Sequence, residues 1–271
     1  MKNVLMSALL LACICCVSVE AQCVAENEAI QPGEELVYDL KFNWRFIWLN
    51  AGEASMTVKS VRYDDKDCLE GRLLCVTNKT IDRYFPMRDT LVTVAGPRME
   101  PLYFRKGAAE GKRYAVEEGW FDYVDGKCHV RQYRHVRGDR REEMDVDFDD
   151  CLIDMLGIVL RARSFDASKM TVGMGTEYMM ATGRAVKREV LMYEGKKVVG
   201  ASDNRSYSCH GFTLFDHNEG KNGKKAITVY VTDDKNHIPI RIDLYLRFGA
   251  AKAYLRSVRN NRYPITSFIS K

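Results

Sequence analysis

The chain has 271 residues, of which 46% are hydrophobic and 29% are charged, a composition typical of a globular protein and not of a disordered, collagen-like or coiled-coil chain. Lys and Arg number 41, and Asp and Glu number 37, which gives a formal net charge of +4. So small an excess is not evidence for a nucleic-acid-binding protein, or for one that its overall charge holds on an acidic membrane.

The first 21 residues are predicted to be a signal peptide. Lys2 precedes an uncharged apolar run from Val4 to Val19, which is shorter than the roughly 20 residues that a transmembrane helix needs. Val19 and Ala21 place small residues at the −3 and −1 positions of a cleavage site after Ala21. We therefore predict export to the periplasm. The alternative is an outer-membrane lipoprotein cleaved before Cys13, although the apolar run continues beyond that cysteine.

Cleavage after Ala21 leaves six of the nine cysteines. Six cysteines allow fifteen complete pairings, their spacing is irregular, and the remaining chain is long enough to form a core without disulfides. The sequence leaves their state open between one or two bridges, formed in an oxidising compartment, and free buried thiols. The six are Cys23, Cys68, Cys75, Cys128, Cys151 and Cys209.

The mature chain is predicted to form one antiparallel β domain over residues 33–262, between an N-terminal segment (22–32) and a C-terminal tail (263–271). Its strongest signal is an alternation over 36–48, where every even position is apolar. Such a period of two is typical of a strand with one buried face. We predict a single long strand with a bend or bulge near residues 43–47, and a turn at Asn50-Ala51-Gly52 into the next strand.

Similar alternations predict further strands along the chain, including a hairpin over 127–148 that turns at Gly138-Asp139. Residues 131–150 hold five arginines but seven acidic residues, so we interpret this hairpin as cross-strand charge pairs on a solvated face and not as a polyanion site. The other predicted strands are 54–59, 69–78, 90–94, 102–105, 114–124, 177–183, 187–193, 206–215, 226–232, 238–248 and 252–258.

One helix is predicted over about 150–163, with Asp149 or Asp150 as its N-cap. Its apolar residues follow the i, i+3, i+4 spacing of an amphipathic helix: Leu152, Met155, Leu156, Val159 and Leu160. Roughly twelve strands and one buried helix predict a mainly β fold, in which a large curved antiparallel sheet or incomplete β-barrel wraps over the helix.

The common catalytic and metal-binding motifs do not occur in the sequence. It contains no nucleophile elbow, Gly-rich phosphate loop, His-Glu-x-x-His or paired Cys-x-x-Cys. Cys128-His129 and Cys209-His210 are neighbours on predicted strands, so the two side chains of each pair point to opposite faces and cannot easily share one ion. We therefore predict no catalytic residue, no metal, no cofactor and no nucleic-acid partner.

The aromatic residues of the first strand are the candidate ligand-binding feature. On one strand face they would either line a groove for a lipid or another apolar ligand or form the barrel core against the helix. Methionines elsewhere would add an adaptable lining. The candidate lining residues are Phe42, Trp44, Phe46, Trp48, Met155, Leu156 and Met179.

Several phrases, in order, resemble the exported domain of unknown function 3108 family. The resemblance covers about residues 33–262. It implies a Gram-negative envelope protein of undefined activity, with a fold similar to the lipoprotein-carrier and outer-membrane-receptor type, an incomplete barrel over a helix. The phrases are Gly33-Glu34-Glu35-Leu36-Val37-Tyr38, Ala51-Gly52-Glu53-Ala54, Arg161 with Ser164-Phe165-Asp166, Tyr193-Glu194-Gly195-Lys196, the run from Val231 to Arg241, and Gly249 with Lys252-Ala253-Tyr254-Leu255.

Three functions fit these observations. The one we favour is a non-catalytic periplasmic binding or carrier-like protein that holds an acyl chain or another apolar group. The second is an envelope assembly protein that acts through sheet edges or the charged hairpin. The third is an enzyme acting on envelope polysaccharide, which needs two carboxylates at glycosidase separation, and the sequence offers no candidate pair.

Overall fold

The computed structural model describes residues 24–44, 47–124, 127–139, 141–216, 223–246 and 249–270. The predicted signal peptide lies outside these residues. The described chain forms one sixteen-stranded sheet, so the mainly β fold is confirmed, with more strands than the roughly twelve predicted. The strands are β1 (Glu35–Trp44), β2 (Ile47–Tyr63), β3 (Lys66–Thr77), β4 (Met87–Ala95), β5 (Pro101–Glu110), β6 (Arg113–Val124), β7 (Lys127–Val136), β8 (Glu142–Phe148), β9 (Leu152–Ile153), β10 (Gly175–Ala181), β11 (Val186–Gly200), β12 (Ser206–Asp216), β13 (Lys224–Thr232), β14 (Pro239–Leu246), β15 (Gly249–Arg259) and β16 (Phe268–Ser270).

The sheet consists of two meanders that meet in its middle. The strand order is β8-β7-β6-β5-β4-β3-β2-β1-β15-β14-β13-β12-β11-β10-β9, and β16 pairs with β12. The two halves join where β1 pairs with β15, from Glu35 opposite Arg259 to Asn43 opposite Ala250. β1 therefore runs through the centre of the sheet from one end of the barrel to the other.

The alternation over 36–48, predicted as one long strand, is two strands. β1 ends at Trp44 and β2 begins at Ile47, and the two pair as a hairpin with Phe42 opposite Leu49. The predicted turn at 50–52 is instead part of β2, at a register shift of the β1–β2 ladder. The prediction was wrong because the chain reverses among apolar residues that lie on both faces, so the period of two continues through the turn.

The predicted helix is shorter than expected. The helices are α1 (Lys79–Asp82), α2 (Met155–Ala162) and a 3₁₀ helix (Ala167–Lys169). Leu152 and Ile153 form β9, parallel to β10, so α2 begins after Asp154 and not at residue 150 or 151. The buried carboxylate of Asp154 accepts hydrogen bonds from the backbone N–H groups of Leu156 and Gly157 at 2.9 and 3.0 Å, and from Thr93 Oγ1 at 2.7 Å, which caps the helix and ties it to β4.

α2 packs inside the curved sheet and forms the centre of the core. Leu156 and Leu160 are 1% and 4% exposed, and a Cβ on Gly71 of β3 would lie only 2.8 Å from Leu160 Cδ1. The helix and sheet therefore touch closely at that point. The buried residues of α2 are Leu156, Ile158, Val159, Leu160 and Ala162.

A buried ion pair joins three parts of the chain beyond the C-terminal end of α2. Arg163 is 0% exposed and Glu34 is 1% exposed. Arg163 Nη2 donates to Glu34 Oε2 at 2.9 Å and to the carbonyl of Asn236 at 3.0 Å, and Nη1 donates to Glu34 Oε1. We call this the ion-pair end of the barrel. It connects the start of β1, the end of α2 and the β13–β14 loop.

One side chain connects the two ends of the strand order. Gln132 of β7 is 1% exposed; its Oε1 accepts from the backbone N–H of Gly183 at 2.7 Å, and its Nε2 donates to the carbonyl of Ala185 at 3.4 Å. Gly183 and Ala185 lie in the β10–β11 turn. The sheet is therefore a nearly closed barrel.

The five cysteines that the structure describes are in two states. Cys151 is disulfide-bonded, and its partner lies outside the described residues. Cys68, Cys75, Cys128 and Cys209 are free. Burial raises the pKa of the Cys75, Cys128 and Cys209 thiols to about 12, so these three remain protonated and poorly reactive at neutral pH.

Candidate functional site

The ends of four neighbouring strands form the candidate site. The β1–β2 and β14–β15 hairpins lie side by side in the order β2-β1-β15-β14. We call residues 41–44, 47–50, 244–246 and 249–252 the ribbon. Among the described residues, β2 pairs with β3 only from Gly52 onwards, and β14 pairs with β13 only as far as Leu244. The ribbon therefore projects past the strands on either side of it.

Gly249 allows the two hairpins to lie this close. Its φ is +104°, and a Cβ at this position would lie 2.5 Å from the carbonyl oxygen of Asn43. Both the backbone conformation and the close approach require glycine. The two hairpins are consequently one four-stranded unit.

The ribbon exposes apolar side chains on both of its faces. Residues directly opposite one another in a ladder share a face, so Leu49, Phe42, Ala251 and Leu244 form one row on the inner face. Trp48, Asn43, Ala250 and Tyr245 form a row on the outer face in the same way. The most exposed apolar residues of the ribbon are Ile47 (65%), Leu246 (45%), Trp48 (43%), Leu49 (39%) and Tyr245 (38%).

The charges of the ribbon all have one sign. The sequence from 41 to 50 and from 244 to 252 contains Lys41, Arg45, Arg247 and Lys252 but no Asp or Glu. The Lys252 ammonium lies 4.8 Å from the centroid of the Trp48 ring. Cations and aromatic rings are thus interleaved on the outer face.

The structure distributes the predicted lining residues over separate places. Phe42 is half-buried on the inner face of the ribbon, whereas Trp48 lies on the outer face. Trp44 ends β1, and Phe46 lies outside the described residues. The hairpin reversal is the reason that Phe42 and Trp48 do not share a face.

The other three predicted lining residues lie away from the ribbon. Leu156 is sealed in the core. Met155 borders a void of about 40 Å³ beside β4 and β5, and Met179 lines a surface cavity of about 320 Å³ next to Cys151. None of the described lining residues of these two cavities belongs to the ribbon. The void beside Met155 is far smaller than the roughly 300 Å³ of the smaller ligand pockets.

A polar cavity of about 850 Å³ lies at the ion-pair end, between the 3₁₀ helix, the β13–β14 loop and the two terminal segments. Its wall carries a chain of hydrogen bonds. Tyr193 Oη lies 2.8 Å from His210 Nδ1, His210 Nε2 lies 2.7 Å from Asp233 Oδ1, and Lys196 Nζ lies 2.7 Å from Asp233 Oδ2. These hydrogen bonds link β11, β12 and the β13–β14 loop.

The protonation states along this chain follow from burial and from the neighbouring charges. Burial lowers the pKa of His210, so its imidazole is neutral near pH 7; Nε2 donates to Asp233 and Nδ1 accepts from Tyr193. Although burial opposes ionisation, the Lys196 ammonium and His210 hold the pKa of Asp233 below its usual value. Both ring nitrogens of His210 are occupied, so this arrangement leaves none for a metal.

Sequence reasoning missed the pairing of His210 with Asp233. The two residues are separated by 23 positions, and only the β12–β13 register brings them together. Asp233 lies in a run that the sequence marks as part of the family resemblance, but nothing in that run identifies its partner. Cys209, the sequence neighbour of His210, is a fully buried free thiol.

Within the part of the chain that the structure describes, no helix has both the length and the apolar character needed to span a membrane.

No curated protein matches the sequence. Two solved structures are similar. A β-barrel-like protein of a domain of unknown function, DUF1849, from Brucella abortus has 10% sequence identity and a TM-score of 0.53, covering 85% of this chain and 98% of that one. A Bacteroides fragilis protein with a YmcC-like fold has 10% identity and a TM-score of 0.34, covering 88% and 100%.

The first of these similarities concerns the fold alone, a barrel-like β structure, as the sequence predicted. A family described as "Protein of unknown function (DUF3108)" matches residues 37–256, which include every strand from β2 to β14. The match contains the ribbon and most of the polar cavity wall. The chain therefore belongs to the DUF3108 family.

Proposed function

We propose that this protein is an exported, non-catalytic binding protein of the cell envelope, and that it holds an acyl chain or another apolar group on the inner face of the ribbon. The observation that carries the proposal is the continuous apolar inner face of the central strands. It begins in the sealed core and ends in exposed side chains at the ribbon.

The burial of successive inner-face residues along β1 and β2 supports this proposal. Leu36 and Tyr38 are 0% and 1% exposed, Phe42 is half-buried, and Leu49 and Ile47 are 39% and 65% exposed. Covering apolar surface yields about 25 cal/mol per Å². The ribbon therefore offers binding free energy to an apolar ligand without any rearrangement of the core.

β14 repeats the same gradient beside β15. Ile240 is fully buried, Leu244 is half-buried, and Leu246 is 45% exposed. An apolar ligand laid across the inner face would contact both hairpins. The void beside Met155 is too small for an acyl chain.

Export and envelope location rest on the predicted signal peptide and on the family resemblance. The alternative of an assembly protein that acts through a sheet edge is less well supported. The edge strand β8 carries Glu142, Glu143, Asp145 and Asp147 within seven residues, and closely spaced charges on an edge strand discourage the addition of another strand.

Binding of an apolar fluorescent probe tests the proposal. N-phenyl-1-naphthylamine should bind the wild-type protein with increased fluorescence, and a long-chain fatty acid should displace it. The double variant Leu49→Asn, Leu246→Asn should bind about tenfold more weakly or worse, because two apolar contacts are lost. Val198→Asn is the matched control, since Val198 is 68% exposed but lies on β11. Absence of probe binding in the wild type, or equal loss in the control, would contradict the proposal.

A further inference from the structure

We propose that the outer face and tip of the ribbon dock on the surface of an anionic lipid bilayer. This inference concerns the same ribbon as the proposed function. It adds the outer-face side chains to Ile47 and Leu246 of the tip, however, and commits to a different partner, a membrane surface and not a single apolar ligand.

The outer face of the ribbon is the first reason. A ribbon that only holds a ligand against the barrel needs apolar residues on its inner face alone. Yet Trp48 and Tyr245 are 43% and 38% exposed on the outer face, in one row with Asn43 and Ala250. A projecting element that is apolar on both faces is suited to a partner that surrounds it, and the interfacial layer of a bilayer surrounds whatever enters it.

The residue types on that face suit the interfacial layer. Trp and Tyr combine an apolar ring with one polar group, and they concentrate where the hydrocarbon and the water of a membrane meet. Ile47 and Leu246, at the two ends of the ribbon tip, are 65% and 45% exposed and would reach deepest into the bilayer. Apolar side chains of this size gain free energy when they leave water.

The distribution of charge identifies the membrane as anionic. The whole chain is nearly balanced, with 41 basic and 37 acidic residues, but the ribbon contains two basic residues, Lys41 and Lys252, and no acid. The nearest acids flanking the β1–β2 hairpin are Asp39 and Glu53, and Arg256 pairs with both. On the neighbouring β14, Asp243 lies directly opposite Lys252 of β15 and 3.0 Å from Arg241. Each of these acids has an arginine partner, so with Lys41 and Lys252 the outer face keeps a positive excess that anionic phosphate headgroups would meet.

The same charges argue against a second copy of the chain as the partner. Two ribbons packed against each other would bring four lysines together, Lys41 and Lys252 of each copy, with no acid among the ribbon residues. Such like charges repel at close range. A bilayer with acidic lipids satisfies the apolar and the charged requirements together.

Co-sedimentation with lipid vesicles tests the proposal. The wild-type protein should sediment with phosphatidylcholine vesicles that contain phosphatidylglycerol, and much less with phosphatidylcholine alone. High salt should weaken the binding, because it screens the attraction between cations and phosphate. Sedimentation that is equal with both vesicle types and insensitive to salt would overturn the proposal.

Two double variants separate the apolar and the charged contributions. Trp48→Ser, Tyr245→Ser should weaken binding to the acidic vesicles about tenfold or more, and Lys41→Gln, Lys252→Gln should weaken it several-fold. The controls are Val198→Ser for the apolar change and Lys112→Gln, Arg113→Gln for the charge change, since Lys112 and Arg113 are exposed at the β5–β6 turn. Unchanged binding by the Trp48→Ser, Tyr245→Ser variant would overturn the proposal.

The result is distinguishable from that of the proposed function. Probe binding without vesicle binding would overturn the membrane inference and leave ligand binding intact, whereas vesicle binding without probe binding would do the reverse. A dimer detected by sedimentation velocity that the Trp48→Ser, Tyr245→Ser variant abolishes, in a protein that does not bind vesicles, would assign the ribbon to a second copy and also overturn the inference.

Discussion

The two ends of the barrel treat charged and apolar side chains in opposite ways. At the ion-pair end, the opposite charges of Glu34 and Arg163 meet inside the protein, with 1% and 0% exposure. At the ribbon, Ile47 and Leu246 leave apolar surface in water, and the charges have no partner of opposite sign within the ribbon sequence. The buried ion pair is formed entirely within the chain and stabilises the fold. The ribbon is complete only when something covers it, which is the property expected of a binding surface.

The largest expected effect comes from breaking the ion-pair end. Arg163→Met leaves the Glu34 carboxylate buried without its counter-charge, and the free energy of unfolding should fall by about 3–5 kcal/mol. Urea denaturation followed by tryptophan fluorescence measures it. The double variant Arg163→Met, Glu34→Met should recover much of the loss, because no unpaired charge remains. A loss smaller than about 1 kcal/mol in the single variant would mean that the pair does not hold this end together.

The second prediction concerns Glu189, which, like Glu34, is a buried carboxylate. Glu189 is 3% exposed, and one of its oxygens has no hydrogen-bond partner among the described residues. Burial and the neighbouring Asp216 raise its pKa from 4.5 to about 7. The folded state therefore favours the protonated form, and Glu189 lowers stability progressively as the pH rises from its unfolded pKa through its folded pKa.

Glu189→Gln keeps the shape of the protonated form without its ionisation. It should raise the free energy of unfolding by about 3 kcal/mol at about pH 8, since one pKa unit corresponds to 1.36 kcal/mol, and should change it little below the unfolded pKa. Urea denaturation at the two pH values measures the difference. Glu177→Gln, an exposed change on neighbouring β10, is the control. An equal effect at both pH values would contradict this account of Glu189.

The smallest effect is expected at the ribbon. Ile47→Thr should alter the free energy of unfolding by no more than about 0.5 kcal/mol, because its side chain is mostly in water already. Ile240→Thr on β14 is the matched buried change, at 0% exposure, and should cost about 2 kcal/mol or more. Thermal unfolding of the two variants makes the comparison. A large loss for Ile47→Thr would show that the ribbon serves the fold and not a partner.

The sequence predicted the β class and the buried helix correctly, because both depend on local periodicity. It failed where periodicity carries no information. The reversal after Trp44 occurs within an apolar run, so the pattern continues unchanged into Ile47. We predicted the N-cap at Asp149 or Asp150 because a strand of only two residues, such as β9, leaves no pattern of its own. The N-cap is Asp154, and its hydrogen bond to Thr93 is one that no local pattern reveals.

The candidate site was only partly accessible from the sequence for a related reason. The aromatic residues were found, but their faces depend on the hairpin pairing of β1 with β2, which sets Phe42 opposite Leu49 and Asn43 opposite Trp48. The charge of the ribbon was hidden by averaging, since a net charge of +4 over the chain conceals two short segments without an acid. Their adjacency in space depends on the pairing of β1 with β15, which joins residues more than 200 positions apart.

That pairing also determines when the protein can fold. β1 is near the start of the chain and β15 is near its end, yet they are neighbours in the middle of the sheet. A chain that emerges from its N-terminus can form the β1–β8 meander early, but the centre of the barrel stays open until residues 249–259 arrive. Folding of the sheet is therefore completed only after residues 249–259 have left the ribosome, and a chain truncated before Gly249 would retain two half-sheets with no strand to join them.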